Sequence, residues 1–279
     1  MTPLSAGNAR VKDARKLSRR SERSERRLFL ADGPKAVQGA LSVPPRDGQS
    51  AVVEVFATPA AAQQYADLLA PAPLVTLVDD RAMEGLSDSV TPAGLVAVCR
   101  LLDVPMSTFL AESSYMYADS ARHLRRLVAI CADVRDPGNA GTVIRCADAA
   151  GADAVILAGD SVDLHNPKTI RASVGSAFHL PIAVERDPAA AVRAAKAAGF
   201  TVLAADMHGD ADLFDADELL ARPTAWLFGN EAWGLPEELA AQADHVVSIP
   251  IFGRAESLNL STAAALCLYA SARAQRARA

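Results

Sequence analysis

The chain contains two blocks in which short apolar runs are separated by more polar segments. Each block predicts strands separated by helices. In the first block, four short apolar runs predict strands, at 27–31, 51–57, 74–78 and 94–101. Segments of helical character between and before them predict helices, at 9–24, 35–41 and 59–69. Strands that alternate with helices predict an α/β sheet covered by helices.

The second block is more regular and predicts a second, larger sheet. Six apolar runs predict strands, at 127–132, 154–157, 181–184, 201–205, 225–228 and 245–249. Four helices are predicted, at 141–150, 167–176, 188–198 and 260–276, and Gly151 and Gly199 suit the ends of two of them. This order predicts a mostly parallel sheet with helices on both faces.

A segment without a clear period, which contains Pro105 and several Ser and Tyr residues, separates the blocks. We therefore expect a domain over 1–105, a linker over 106–125 and a second domain over 126–279. The 279 residues, 51% of them hydrophobic, can build one large or two ordinary domains.

The composition also bears on location and on redox chemistry. No apolar run approaches the roughly 18 residues of a membrane span, and the N-terminal segment becomes basic without an apolar stretch. We therefore expect a cytoplasmic protein without a membrane partner. The four cysteines are far apart and form no CxxC, so neither a disulfide framework nor a structural zinc site is indicated.

Charge is distributed unevenly along the chain. The net charge is −5, but residues 1–30 hold nine basic and three acidic residues, a net of +6 that leaves −11 elsewhere. A local basic patch is typical of a polyanion partner such as RNA. A solvated N-terminal helix would have the same composition.

Three loops that follow predicted strands carry polar side chains, and ligands of such sheets bind beyond the carboxyl ends of the strands. In the first loop, Asn139 stands where a helix N-cap is expected, and Arg145 has the fork geometry suited to phosphate. A capped helix with a surface arginine would explain both residues.

The second and third loops are harder to explain by structure alone. Gly229 and Gly234 flank Asn230 and Glu231 after an apolar strand, and a simple turn does not account for the carboxylate of Glu231. In the third loop, over 249–261, either Ser257 or Asn259 can cap the last helix, which leaves the other polar residue over.

Common fingerprints of other enzyme classes are absent from the sequence. It contains no GxGxxG after a strand, no GxxxxGK[ST], no HExxH and no GxSxG. The five histidines show no metal-ligand spacing, so no metal is expected. These absences argue against ordinary dehydrogenases, kinases and hydrolases.

The three loops in order read NAGTVIR, LFGNEAWGLP and IPIFGRAESLNLSTAAAL, and this set resembles the motifs of the SpoU family. These are RNA 2′-O-ribose methyltransferases of the SPOUT superfamily. The likeness includes 168–181 and spans about 126–275. Residues 29–37 and 91–98 resemble the small α/β RNA-binding domain that precedes the catalytic domain in many members.

The resemblance implies a fold, a cofactor and an assembly. It implies S-adenosylmethionine as the methyl donor, a homodimer with the cofactor site near the subunit interface, and a deep C-terminal trefoil knot. Without the resemblance a knot would not be expected, because knots are very rare.

The resemblance also assigns residues. By motif position the cofactor-binding residues are Ala205, Gly229, Ile249 and Leu258. The catalytic residues are Asn139, Arg145, Glu231, Ser257 and Asn259, all intact here. For RNA contact we expect Arg19 and Arg20 of the basic segment, with Arg171 and Arg254 nearer the site. Asn230 and Trp233 stand at positions where small or variable residues are expected.

The function implied is 2′-O-methylation of RNA, with 23S ribosomal RNA favoured by the appended N-terminal domain. Transfer RNA is the alternative substrate. A non-catalytic RNA-binding protein on the same scaffold is a rival, against which the intact motif residues argue. A nucleotide-dependent oxidoreductase is a more distant rival, because the glycine fingerprint is missing.

Overall fold

The computed structural model describes residues 2–45, 48–110 and 126–277. Strands of the described residues are β1 (Leu28–Asp32), β2 (Val52–Ala57), β3 (Val75–Leu77), β4 (Leu95–Arg100), β5 (Leu127–Ala132), β6 (Ala154–Ala158), β7 (Ile182–Glu185), β8 (Thr201–Ala205), β9 (Ala211–Asp212), β10 (Thr224–Phe228) and β11 (His245–Ser248). Helices of the described residues are α1 (Ala9–Arg15), α2 (Arg20–Arg26), α3 (Pro34–Ser42), α4 (Pro59–Gln64), α5 (Ala66–Leu69), α6 (Asp80–Leu86), α7 (Ser107–Leu110), α8 (Pro137–Ala150), α9 (Pro167–Ala172), α10 (Pro188–Ala197), α11 (Asp217–Leu220), α12 (Glu237–Ala240) and α13 (Leu260–Ala277).

The chain forms two compact units, and the first comprises Met1–Leu102 together with Asp163–His179. In its described residues a four-stranded sheet has the order β1-β4-β2-β3. The central strand β4 runs antiparallel to β1 and β2, and β3 runs parallel to β2. Leu17, Phe56, Met83 and Val96 pack in the core between this sheet and helices α1 and α6.

Residues 163–179 return to the first unit after the chain has already built part of the second. His165 accepts a hydrogen bond at Nε2 from the backbone N–H of Leu102 at 2.9 Å, and its ring lies 4.8 Å from that of Phe29. Asp163 pairs with the buried guanidinium of Arg23 at 2.5 Å. Chain order alone groups these residues with the C-terminal block, and no local pattern signals the return.

The second unit comprises Asp103–Val162 and Leu180–Ala279. In the part that the structure describes, seven strands form a sheet of order β7-β6-β5-β10-β8-β11-β9, and each neighbouring pair is parallel. On one face Val128 and Ile130 pack with Ala191 and Ala195 of α10. On the other face the indole of Trp226 donates to Ser271 of α13.

The predicted parallel sheet with helices on both faces is thereby confirmed, as is the smaller preceding α/β unit. The short strand β9 was not predicted. The trefoil knot and the domain bounds stay predictions, and residues 111–125 of the predicted linker lie outside the described residues.

The basic segment was predicted as one helix over 9–24, which is wrong. Helices α1 and α2 are separated by a short 3₁₀ turn over Lys16–Ser18 and by Arg19, whose backbone is extended with φ −91° and ψ 135°. Helix α6 was missed because it is short, although Asp79 caps it by accepting from the N–H of Ala82 at 2.7 Å. None of the described helices is both long and apolar enough to cross a membrane.

Candidate active site

Helix α8 begins earlier than the sequence predicts. Asp136 is its N-cap and accepts from the backbone N–H of Asn139 at 2.7 Å, while Pro137 occupies the first turn. Asn139 is therefore not the cap, because the aspartate with the following proline is the stronger start signal. The amide side chain of Asn139 remains available for other contacts.

A carboxylate joins the first two loops. Glu231 accepts hydrogen bonds from the backbone N–H groups of Arg135 at 3.3 Å and Asp136 at 3.1 Å. It also accepts from Nδ2 of Asn139 at 3.2 Å. Glu231 thus holds the entrance of α8 against the end of β10, a role that a plain turn would not require.

Asn259 joins the third loop to the first. Its Nδ2 donates to Oδ1 of Asn139 at 3.0 Å. Its own Oδ1 accepts from the backbone N–H of Ser261 at 2.9 Å and from the hydroxyl at 2.6 Å, so Asn259 caps α13. The polar residue left over by the capping argument is therefore Ser257.

The loop after β10 is held in a tight bend. The backbone groups of Asn230 and Gly234 exchange hydrogen bonds at 2.9 Å, and Gly234 has φ +71°. A Cβ added at Gly229 would lie 2.5 Å from the backbone nitrogen of Leu235, so only glycine fits there. The bend fixes the direction in which Glu231 leaves the strand.

Asn230, which the sequence placed at the rim of the pocket without a catalytic role, is a structural residue of the site. It is 6% exposed, and its Nδ2 donates to the carbonyl oxygen of Asp133 at 2.6 Å. Its Oδ1 accepts from the N–H of Ala232 at 2.8 Å. The available signal was an asparagine placed directly after a buried strand between glycines.

A cavity of about 640 Å³ opens at the carboxyl ends of β8, β10 and β11. Among its lining residues are the four predicted to bind the cofactor, Ala205, Gly229, Ile249 and Leu258, together with Glu231, Ser257 and Asn259. The loops that follow β8, β10 and β11 therefore share one cavity, where a parallel sheet is expected to bind its ligand, whereas Asn139 and Arg145 of the first loop lie outside its lining.

Arg145 stands apart from this cluster. It lies six residues after Asn139 on α8, a rotation of about 120° away around the helix axis. Its side chain is exposed, and it does not line the cavity. Within residues 2–45, 48–110 and 126–277 it makes neither a hydrogen bond nor an ion pair.

The thiols near the site are held in the protonated form. Burial, together with the charge of Glu231, raises the pKa of Cys131 to about 12. Burial also raises the pKa of Cys146, against the opposing charge of Arg145. Since the thiolate is the reactive form, the raised pKa values argue against either cysteine as a nucleophile.

The predicted RNA contacts are differently placed. Arg19 and Arg20 are exposed at the break before α2 in the first unit, and Arg254 is exposed in the second. Arg171 belongs to the first unit, where it pairs with Asp88 at 3.3 Å.

Several other cations of the basic segment have partners in the protein itself, either in its interior or at its surface. Arg23 is 4% exposed. Arg10 pairs with Glu54, and Arg26 pairs with Asp13. The surface available to a polyanion is therefore smaller than the count of basic residues suggests. Among the described residues, no three His, Cys, Asp or Glu side chains are arranged to hold a metal ion.

Comparison with known proteins agrees with this geometry. Residues 126–269 match the SpoU rRNA Methylase family, and residues 8–97 match the MRM3-like substrate binding domain. The chain is 32% identical over 265 residues to the 23S rRNA (guanosine(2553)-2′-O)-methyltransferase RlmP of Bacillus subtilis, covering 95% of this chain and 96% of that protein. It is 43% identical over 142 residues to a 23S rRNA (uridine(2479)-2′-O)-methyltransferase of Streptomyces viridochromogenes, 49% of either chain.

Solved structures share the fold over the whole length. An AdoMet-bound rRNA methyltransferase from Sinorhizobium meliloti superimposes with a TM-score of 0.77 at 31% identity, over 98% of this chain and 97% of that one. The SpoU methyltransferase AviRb from Streptomyces viridochromogenes, in complex with AdoMet, gives 0.78 at 29% identity, over 98% and 100%.

These likenesses define the class of protein as RNA ribose 2′-O-methyltransferases that use S-adenosylmethionine. Because the family match spans more than half of the chain and a full-length relative is 32% identical, the chain belongs to the SpoU rRNA methylase family. The family resemblance read from the three loops is confirmed.

Proposed function

We propose that this protein transfers a methyl group from S-adenosylmethionine to a ribose 2′-hydroxyl of 23S ribosomal RNA. The observation that carries the proposal is the network from Glu231 through Asn139 to Asn259, beside the cavity of the predicted cofactor residues. The relatives named above act on 23S rRNA, which favours this substrate over transfer RNA.

The cavity suits the cofactor in size and in lining. About 640 Å³ lies within the range typical of small-molecule sites. Ile249, Ile251 and Leu258 supply apolar surface for a flat ring, while Glu231, Ser257 and Asn259 are polar. When bound, S-adenosylmethionine supplies an electrophilic methyl group on a sulfonium, so the protein must add alignment and help with the proton.

The residues of the network divide that work with Ser257 and Arg145. Asn139 and Asn259 orient the ribose, Ser257 hydrogen-bonds beside it, and Glu231 keeps the loops in register. Arg145, exposed on α8 outside the lining of the cavity, binds a phosphate of the RNA, because a guanidinium binds phosphate with two hydrogen bonds. Alignment of this kind contributes about 7–11 kcal/mol in favourable cases.

The wider assembly is part of the proposal. Arg19, Arg20, Arg171 and Arg254 contact RNA phosphates, and the protein acts in the cytoplasm as a homodimer with a knotted catalytic unit. Leu266 and Tyr269 lie one turn apart on α13 and are 38% and 53% exposed, which favours a second copy as their cover.

Methyl transfer to purified RNA tests the function. The protein, with methyl-labelled S-adenosylmethionine, is expected to label a 23S rRNA transcript at one ribose and to leave transfer RNA unlabelled. Labelling of transfer RNA alone would show that the substrate is wrong. RNA binding without any transfer would favour a non-catalytic protein.

Two substitutions of Arg145 test its role in the reaction. Arg145→Ala is expected to abolish transfer, while S-adenosylmethionine, but not NAD, still raises the melting temperature. Arg145→Lys keeps a charge without the planar fork and should retain a small part of the activity. Loss of the thermal shift in Arg145→Ala would refute a role confined to the RNA.

A further inference from the structure

We propose that Trp233 and Arg135 form a stacking platform for a nucleobase of the RNA substrate at the rim of the cavity. The proposal rests on the proposed function and specifies how the target nucleotide is held. It assigns a role to Trp233, which stands where the family motif predicts a small or variable residue.

The indole of Trp233 is exposed although the backbone that carries it is fixed. Trp233 lies between Asn230 and Gly234, whose backbones are joined by the pair of hydrogen bonds described above. Asn230 ties the same bend to Asp133 at 2.6 Å. Trp233 nevertheless remains 55% exposed and lines the cavity. A large ring presented on a rigid bend is a binding surface rather than a consequence of loop motion.

A guanidinium completes the platform. The central carbon of the Arg135 guanidinium lies 5.1 Å from the centroid of the Trp233 ring, within reach of a cation–π interaction. Arg135 Nη2 also lies 3.7 Å from a carboxylate oxygen of Asp160, and the arginine side chain is 58% exposed. A planar ring and a planar cation therefore lie together at the mouth of the cavity.

The platform is connected to the proposed catalytic network. The backbone N–H of Arg135 donates to Oε2 of Glu231, and the other carboxylate oxygen holds Asn139. A base stacked on Trp233 is therefore held at a fixed position relative to Asn139 and Asn259, which are proposed to orient the ribose.

The chemistry of the platform suits a nucleobase with its phosphate. Proteins that recognise RNA stack splayed-out bases on aromatic rings and on arginine planes, and base stacking tolerates any sequence. Bases in RNA loops and bulges are splayed out from their neighbours, which leaves them without a stacking partner on at least one face. The adenine of the cofactor is the competing occupant, because Trp233 lines the cavity proposed to bind it.

Steady-state kinetics distinguish these occupants. Loss of one stacked base raises the KM for a 23S rRNA transcript by about 5- to 150-fold. We expect that rise in Trp233→Ala with an unchanged Kd for S-adenosylmethionine, and recovery of most of it in Trp233→Phe. Val184→Ala on β7 is the matched control, because Val184 is also 55% exposed but lies on an edge strand, three strands away from β10, which Trp233 follows.

Fluorescence provides a readout that a merely structural role would not change. The chain has two tryptophans, and Trp226 is fully buried. Quenching by acrylamide therefore reports Trp233, and the 23S rRNA transcript is expected to protect it in the wild type and in Trp226→Phe.

The outcomes separate the two proposals. An active wild type with an unchanged KM in Trp233→Ala overturns the platform alone, as does a weakened Kd for S-adenosylmethionine with normal RNA kinetics. A wild type that methylates no RNA removes both proposals.

Discussion

Replacing Asp163 by asparagine should destabilise the first unit. Nε and Nη2 of Arg23 donate to Oδ2 of Asp163 at 3.0 and 2.5 Å. The arginine side chain is only 5% exposed and the aspartate 18%. The substitution keeps the shape of the side chain but leaves the cation of Arg23 without a counter-charge.

The magnitude follows from that burial. Removing one partner of a fully buried pair costs about 3–5 kcal/mol. Asparagine retains one acceptor oxygen, Asp163 is partly exposed, and Arg23 also donates to the carbonyl oxygens of Leu17 and Ser18. We therefore expect a loss of about 2–4 kcal/mol, reduced from the fully buried value by solvent screening.

The loss should depend on pH. Burial acts to raise the pKa of Asp163, but hydrogen bonds from His165 and Arg23 outweigh it and hold that pKa well below its ordinary value. A carboxyl with a lowered pKa stabilises the fold fully above its unfolded pKa of about 4. The difference between wild type and Asp163→Asn should therefore be largest near neutral pH and shrink as the pH falls below about 4.

Heat unfolding measures this difference. For a unit of this size the expected fall in Tm at pH 7 is about 10 °C, and amide exchange in β1 and β4 would assign it to the first unit. The matched control is Asp13→Asn, since the Asp13 carboxylate is 52% exposed and pairs with Arg26; its effect should stay below about 1 kcal/mol. Equal effects of the two substitutions, or a difference that does not change with pH, would refute the reasoning.

Three further predictions concern the site and the RNA surface. Glu231→Gln should lower kcat by about 10- to 100-fold with little change in KM, because the amide offers one acceptor oxygen where the carboxylate offers two; an unchanged kcat would contradict its positioning role. Arg19→Glu with Arg20→Glu should weaken RNA binding and its salt dependence in filter-binding assays while the Kd for S-adenosylmethionine stays constant; unchanged RNA affinity would place the RNA surface elsewhere. Ser271→Ala removes the acceptor of the buried Trp226 N–H at 2.9 Å and should cost about 1–3 kcal/mol in chemical unfolding; a change within error would show that the indole finds another acceptor.

The strands of the second unit could be predicted well from sequence because their apolar runs are short and clearly bounded. Strands β5 and β8 were predicted to the residue. The two-residue strand β9 could not be predicted, since it is defined only by its pairing with Val247 and Ser248 of β11. The sequence predicted that the sheet is mostly parallel, but it did not predict the position of each strand in the sheet.

The members of the site could be named from their motifs, but their contacts could not. Glu231 and Asn139 are 92 residues apart, and Asn139 and Asn259 are 120 apart. Nothing in these spacings shows that the side-chain amide of Asn139 bridges Glu231 and Asn259. The cap of α8 was misassigned because both Asp136 and Asn139 are residue types that favour the N-cap position, and the signal of Pro137 directly after Asp136 was not used.

The return of residues 163–179 to the first unit constrains how the protein can be made and divided. On the ribosome, Arg23 emerges 140 residues before the carboxylate that neutralises it. The core of the first unit therefore stays incomplete until more than half of the polypeptide has been synthesised. A fragment that ends at Leu102 would lack the Asp163 carboxylate that pairs with Arg23 and the His165 ring that lies against Phe29, so a single cleavage there removes part of the first unit.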